Sequence, residues 1–238
     1  MAQSDLASIM QENLPRLKRV ELLSRIEDGL SRLLERRVAV AAYVANTADP
    51  TVAASTAMSS TQLSFVDDII RTAGDADADS VALILESFGG EATFPLEVVD
   101  RAKKYYRGFY VVVANVAKSA ATLLSLISDG ILALETASFG PVDPQLVIPL
   151  PQGPQLVSAR QIKELIEVTL PNVMRNVGPA ERAAILASQN YLLYQQALDG
   201  LKFVKEVLDT HLKPGFPEGR IAEVKKRLVD DPMLHDVK

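Results

Sequence analysis

The sequence predicts an α/β fold built on a mostly parallel sheet, and two features of its pattern indicate this. Three short apolar runs without a charged residue lie at Val38–Val44, Val81–Leu85 and Phe109–Val113. Such runs are typical of strands that are buried on both faces. Between them, Thr61–Ala73 and Pro95–Tyr106 have apolar residues at helical spacing. Strands that alternate with helices form βαβ units, in which the strands are parallel.

The N-terminal segment is predicted to be helical. Between Ser4 and Arg36 the apolar residues fall on one helical stripe, and only Pro15 and Gly29 interrupt the pattern. We interpret it as one or two amphipathic helices outside the main core. They either pack against the domain or serve as an oligomerisation arm, and the stripe is too short to separate these two roles.

The remaining elements follow from local signals. Thr61 is a candidate N-cap for its helix, and a short strand is predicted at Ile131–Glu135. Loops are predicted at Ala45–Ser60, Asp75–Ser80 and the proline-rich Val147–Val157.

Three further helices are predicted in the last third of the chain, at Ser158–Leu170, Pro179–Leu212 and Glu218–Val229. Ser158 and Gln161 have the spacing of a capping box. The predicted organisation is therefore an N-terminal helical arm (1–36), an α/β core (37–157) and a C-terminal helical region (158–238).

Composition excludes several classes of function. With 48% hydrophobic residues, 23% charged residues and a net charge of −5, the chain has the balance of a globular protein without a basic nucleic-acid surface. It has no cysteine and only two histidines, so we predict no metal site and no cofactor. No apolar run approaches the roughly 18 residues needed to cross a bilayer, and the predicted compartment is the cytoplasm.

Two polar features follow neighbouring strands at the predicted carboxyl edge of the sheet, where ligands bind in such folds. Gly89 and Gly90 follow the second strand, and Ser119 opens the helix after the third. Ser119 could simply be an N-cap. It could also be a nucleophile, with the backbone N–H groups of the glycine loop and of its own helix stabilising an oxyanion.

Three motifs then resemble a known family. They are Ser-Phe-Gly-Gly at Ser87–Gly90, Ala-Lys-Ser-Ala-Ala-Thr-Leu at Ala117–Leu123, and Phe-Gly-Pro-Val-Asp-Pro-Gln at Phe139–Gln145. Together they are similar to the Clp/crotonase-fold serine proteases, and most of all to the serine dehydrogenase proteinase branch. The resemblance implies a spiral of βαβ units flanked by N- and C-terminal helices, in which 37–157 is the catalytic core. It also implies Ser119 as nucleophile, with an oxyanion hole from the Gly89–Gly90 loop and Ala120, chiefly the amides of Gly90 and Ala120.

The resemblance leaves two arrangements for the base that activates Ser119. In the first, the order Ser, Asp, His of that branch makes Asp143 the orienting carboxylate and His235 the base. In the second, a lysine is the base, as in relatives of signal peptide peptidase A, and Lys163 is the best-placed candidate. Lys118 adjoins the nucleophile, but its side chain is predicted to point elsewhere.

The sequence thus predicts a serine endopeptidase that acts on peptides or proteins and assembles as a homo-oligomer. Two other functions stay open. One is a catalytically silent scaffold that keeps the fold. The other is a crotonase-type acyl-CoA enzyme, which would need a carboxylate base such as Glu91 beside the glycine pair.

Overall fold

The computed structural model describes residues 16–45, 57–73, 77–148, 155–187, 191–212 and 218–230. It comprises two compact units, of which the first ends at Pro141 and the second begins at Val142. The predicted fold class is confirmed, since a mostly parallel sheet is flanked by helices. The predicted division at residues 36 and 157 stays a prediction.

The first unit holds the parallel sheet. The strand order is β1-β2-β3-β4, β5 lies beside the end of β3, and every pair is parallel. In chain order the elements are α1 (Arg16–Leu34), β1 (Val38–Val44), a 3-10 helix (Ser60–Gln62), α2 (Leu63–Arg71), β2 (Ser80–Ser87), α3 (Phe94–Tyr105), β3 (Gly108–Ala117), α4 (Ala120–Ile127), β4 (Gly130–Ala133) and β5 (Ser138–Phe139).

All three apolar runs form strands, as predicted, but β3 extends beyond the predicted run Phe109–Val113 and ends at Ala117. An irregularity in the pairing makes this possible. Leu85 pairs with Val113 and Ser87 with Ala117, so β3 holds two more residues than β2 over this interval. Thr136 donates a hydrogen bond to the carbonyl of Ala114 in this bulge, at 2.8 Å. Bulges of this kind bend a strand and are common beside active sites.

The helix α1 belongs to the core, which corrects the prediction that it lies outside. Ile26 and Leu30 are 0% and 1% exposed, and they pack with Val40, Ile84 and other residues of one sheet face. An amphipathic stripe shows that a helix has an apolar face, but not which surface will cover it. The described part of α1 therefore packs against the domain, which is one of the two roles considered for this segment.

The helices α2, α3 and α4 pack with β1 and β3. Side chains alternate between the two faces of a strand, so Tyr43 points away from the α1 side and meets the ring of Phe94 at 6.2 Å. Thr61 is not a helix cap, contrary to prediction. It lies inside the 3-10 helix, and α2 begins at Leu63 without a side-chain capping bond.

The second unit begins with an antiparallel pair, β6 (Gln145–Ile148) and β7 (Gln155–Ser158). The loop predicted at 147–157 is therefore wrong for its described residues, 147–148 and 155–157, which are strand because cross-strand pairing satisfies the backbone there. The capping box of Ser158 and Gln161 is confirmed. The helices that follow are α5 (Ala159–Glu164), a π-helical segment (Leu165–Thr169), α6 (Leu170–Arg175), α7 (Pro179–Ala187), α8 (Tyr191–His211) and α9 (Glu218–Lys225), with a π-helical segment (Lys226–Asp230) after it.

The helices of the described ranges include none that combines the length and the apolar character needed to cross a membrane.

Candidate active site

Ser119 occupies the junction between β3 and α4 in an unusual backbone conformation. Its φ is 51° and its ψ is −119°, and its side chain makes no capping hydrogen bond. Among the described residues that are not glycine, only Ser119 and Glu35 have a positive φ. Glu35 follows the last turn of α1, where this conformation is common. Ser119 begins a helix instead, and such strain costs on the order of 1–3 kcal/mol. Ser119 therefore stands at the N-cap position, but the hypothesis that its hydroxyl caps the helix is wrong.

Backbone hydrogen bonds on both sides of Ser119 hold this conformation. Its amide donates to the carbonyl of Pro141 at 3.2 Å, and its carbonyl accepts from Leu123 at 3.0 Å. The carbonyl of Lys118 accepts from Ala121 at 2.9 Å. A strained residue persists only when its surroundings determine its geometry in this way.

The glycine loop contacts the serine directly. Gly89 has a φ of +95°, and a Cβ atom built on it would lie 2.7 Å from the Cβ of Ser119 and 2.8 Å from the amide nitrogen of Ala120. Only glycine combines that backbone angle with so close an approach. The structure thus brings the two predicted polar features together at the carboxyl edge of the sheet.

The backbone amides around the serine divide into engaged and open groups. The amide of Gly89 donates to the hydroxyl of Ser87 at 3.0 Å. The isolated bridge to Met58 uses the carbonyl of Gly89 and the amide of Glu91. Within the described ranges, no hydrogen bond engages the amide of Gly90 or that of Ala120. Both N–H groups therefore lack an acceptor in this part of the chain.

The side chain of Lys118 lies against Gly140 and reaches Ser138. A Cβ atom built on Gly140 would lie 3.2 Å from both the Cβ and the Cγ of Lys118, so the stem of the lysine covers that glycine. The ammonium group donates to the hydroxyl of Ser138 at 2.7 Å. Burial lowers the pKa of Lys118.

Asp143, the predicted orienting carboxylate, lies in the second unit and is 9% exposed. Its carboxylate accepts a hydrogen bond from the hydroxyl of Ser158 and one from the amide of Arg160, at 3.4 Å for the latter. It also pairs with the Arg160 guanidinium at 3.3 Å. These donors hold the carboxylate rigidly at the start of α5.

The other predicted base groups have different surroundings. Lys163 is about half exposed and pairs with Glu167 at 3.6 Å. His235 lies outside the described residues. Glu91 accepts from the amide of Ser60 at 3.0 Å, at the start of the 3-10 helix. No described cluster of histidine and carboxylate side chains is suited to hold a metal ion.

One buried residue at this junction was missed by the sequence analysis. The hydroxyl of Thr122 lies 2.7 Å from the carbonyl of Ala117 and 2.9 Å from that of Gly140. A threonine in the first turn of a helix can bond to nearby backbone. That signal alone would not have identified the distant carbonyl of Gly140.

No protein-family model matches this sequence, and no curated protein matches it. Among solved structures it is similar to two variants of 1510-N, a membrane-bound stomatin-specific protease, one of them in complex with a substrate peptide. They are 20% and 22% identical over 54% of this chain, with TM-scores of 0.40 and 0.41. ClpP1 from Listeria monocytogenes is 14% identical over 46% of this chain, with a TM-score of 0.32.

The chain spans 55–58% of the length of these solved structures. At such identities and TM-scores the similarity assigns no activity. We therefore infer function from this chain's own residues.

Proposed function

We propose that this protein is a serine peptidase of the Clp/crotonase-like type, with Ser119 as its nucleophile. The observation that carries the proposal is the positive φ of Ser119 at a strand-to-helix junction, with a hydroxyl that does not cap the helix. Nucleophilic serines are presented on strained turns of this kind, where the hydroxyl is exposed beside backbone amides. The serine dehydrogenase proteinase branch remains our choice within the type, on its three motifs.

The oxyanion would be held by the open amides of Gly90 and Ala120. Ala120 is the first residue of α4, so its N–H group also lies at the positive end of the helix dipole. Because the amide of Gly89 donates to Ser87, we assign Gly89 a different part, which is to allow the close approach of the loop to Ser119. Fixed donors of this kind stabilise a developing oxyanion without reorganisation.

The reaction that we propose is amide hydrolysis through an acyl-enzyme. The Ser119 oxygen forms a bond to the carbonyl carbon of the peptide while its proton passes to a base. The carbon–nitrogen bond then breaks, and the amine leaves with that proton. Water hydrolyses the resulting ester, which restores the serine.

For the base we propose His235, oriented by Asp143. A triad carboxylate has to be held in place, and the hydrogen bonds from Ser158 and Arg160 do this for Asp143. The alternative is Lys163. Its ammonium group already pairs with Glu167 at 3.6 Å, so we rank it second.

Both alternative functions are less well supported. A crotonase-type enzyme would need a free carboxylate beside the glycine pair, but Glu91 already binds the start of the 3-10 helix. In a silent scaffold the strain at Ser119 would serve no function. A relaxed backbone at this residue would make such a scaffold more stable.

We also propose a homo-oligomer, as the sequence predicted. The helices of the second unit expose several large apolar side chains, and burying them between subunits would be favourable. They are Leu165, Val168, Val173, Leu186, Tyr191 and Leu192. Light scattering after size exclusion would give a single mass of two or more chains, and a monomer across the concentration range would contradict this proposal.

The test of the peptidase is labelling by a fluorophosphonate probe, followed by hydrolysis of a fluorogenic casein substrate. We expect labelling of the wild type and none of Ser119→Ala. Ser125→Ala is the matched control, since Ser125 is a buried serine of the same helix whose hydroxyl donates to the carbonyl of Ala121. Loss of labelling in His235→Ala but not in Lys163→Ala would identify the base. A folded wild type that neither labels nor cleaves would refute the peptidase.

A further inference from the structure

We propose that Thr122 is a positioning residue for the nucleophile, through a hydrogen bond that fixes the segment on which Ser119 rests. The inference deepens the peptidase proposed above and depends on it for its catalytic consequence. Thr122 is 1% exposed, so its hydroxyl cannot exchange its partners for water without opening the junction.

The Thr122 hydroxyl joins three segments of the chain. From the first turn of α4 it reaches the carbonyl of Ala117 at the end of β3 and that of Gly140 beyond β5. A hydroxyl has a single proton, which the two carbonyls share.

The two carbonyls differ in the hydrogen-bond donors that they have besides Thr122. Ala117 also accepts from the amide of Gly140 at 3.0 Å. Within the described part of the chain, the carbonyl of Gly140 accepts from Thr122 alone. Loss of the hydroxyl would therefore leave the Gly140 carbonyl without a donor while Ala117 keeps one.

Loss of the Thr122 hydroxyl would affect Ser119 through one intervening residue, Pro141. Gly140 precedes Pro141, and the carbonyl of Pro141 accepts the amide of Ser119. Proline has no amide hydrogen, so Pro141 can make no backbone donor bond of its own to hold the segment. The Thr122 hydroxyl thus supports the acceptor that holds Ser119 at its positive φ.

The comparison that tests this uses two substitutions of one residue. Thr122→Val keeps the shape of the side chain and removes the hydroxyl, whereas Thr122→Ser keeps the hydroxyl. A displacement of about 1 Å at a reacting atom lowers rates by about 100-fold. On that basis we expect Thr122→Val to be labelled about 10- to 100-fold more slowly than wild type. Thr122→Ser, which keeps the hydroxyl, should restore most of the rate.

Ser125→Ala is again the control, because it removes a buried hydroxyl from the same helix without touching the junction. We expect it to label like wild type even if it lowers the melting temperature as much as Thr122→Val does. The pH at which labelling is half-maximal should be the same in Thr122→Val and wild type, since threonine does not titrate in this range.

Hydrogen exchange of the Ser119 amide separates this inference from the peptidase itself. We expect faster exchange in Thr122→Val than in wild type, Thr122→Ser or Ser125→Ala. If the wild type does not label, the peptidase is wrong, and the exchange rates still decide whether Thr122 holds Ser119. Unchanged exchange in a folded Thr122→Val, or slow labelling of Ser125→Ala equal to that of Thr122→Val, would overturn the assignment.

Discussion

Substitution of Gly89 by alanine would place a methyl group where the glycine loop meets the serine. The new Cβ would lie 2.5 Å from the carbonyl oxygen of Lys118, 2.7 Å from the Cβ of Ser119 and 2.8 Å from the amide nitrogen of Ala120. Two of these are backbone atoms, and the third belongs to a residue whose backbone is fixed by hydrogen bonds. None can move as the end of a flexible side chain would.

The destabilisation has two sources and one offset. The backbone angle of +95° is strained for alanine and costs on the order of 1–3 kcal/mol. Overpacking against fixed atoms adds roughly 1–3 kcal/mol. Alanine restricts the unfolded chain more than glycine and returns about 0.4–1 kcal/mol. The net loss is about 3 kcal/mol, which corresponds to a fall of about 6–12 °C in melting temperature.

Thermal unfolding measures the loss of stability in Gly89→Ala, and fluorophosphonate labelling measures the reactivity of Ser119. A displacement of the loop by about 1 Å is expected to slow labelling about 100-fold at temperatures where the variant is folded. Gly178→Ala is the matched control, since the closest atom to its new Cβ is a carboxylate oxygen of Glu181 at 3.3 Å. A Gly89→Ala variant with the melting temperature and labelling rate of wild type would refute the reasoning.

Three further results are expected. Ser119→Gly should be about 1 kcal/mol more stable to unfolding than Ser119→Ala, because glycine relieves the positive φ, while neither variant labels. Ile26→Ala should lower the free energy of unfolding by about 2–5 kcal/mol and Leu33→Ala by about 0.5 or less in urea titrations, because Ile26 is 0% and Leu33 is 64% exposed. Lys118→Met should become less stable relative to wild type as the pH rises towards 10.5.

The sign of the last expectation follows from the lowered pKa of Lys118 in the folded protein. Between that pKa and the ordinary value of 10.5, the unfolded chain binds more protons than the folded one. The free energy of unfolding of the wild type therefore rises with pH across this window, whereas the methionine side chain of the Lys118→Met variant does not titrate. A constant difference in stability between the two proteins over that window would contradict it.

Equal stability of Ser119→Gly and Ser119→Ala would show that the backbone of Ser119 is unstrained. Equal effects of Ile26→Ala and Leu33→Ala would contradict the placement of α1 in the core.

Much of the first unit could be predicted from local pattern. The run Val38–Val44 is apolar and rich in β-branched residues, and it forms β1 with those bounds. The proximity of the glycine loop to Ser119 was also predictable, because carboxyl ends of adjacent parallel strands share one edge. The classes of function excluded by net charge, by the lack of cysteine and by the low histidine count likewise depended on the sequence alone.

The tertiary structure decided the features that depend on residues far apart in the chain. The apolar stripe of α1 did not say that the sheet would cover it. The extra residues of β3 became visible only through the register with β2. Thr122 meets Gly140 across 18 positions, and Asp143 meets Arg160 across 17. Periodicity and propensity report which side chains prefer burial, whereas partners and backbone angles depend on how separate segments pack together.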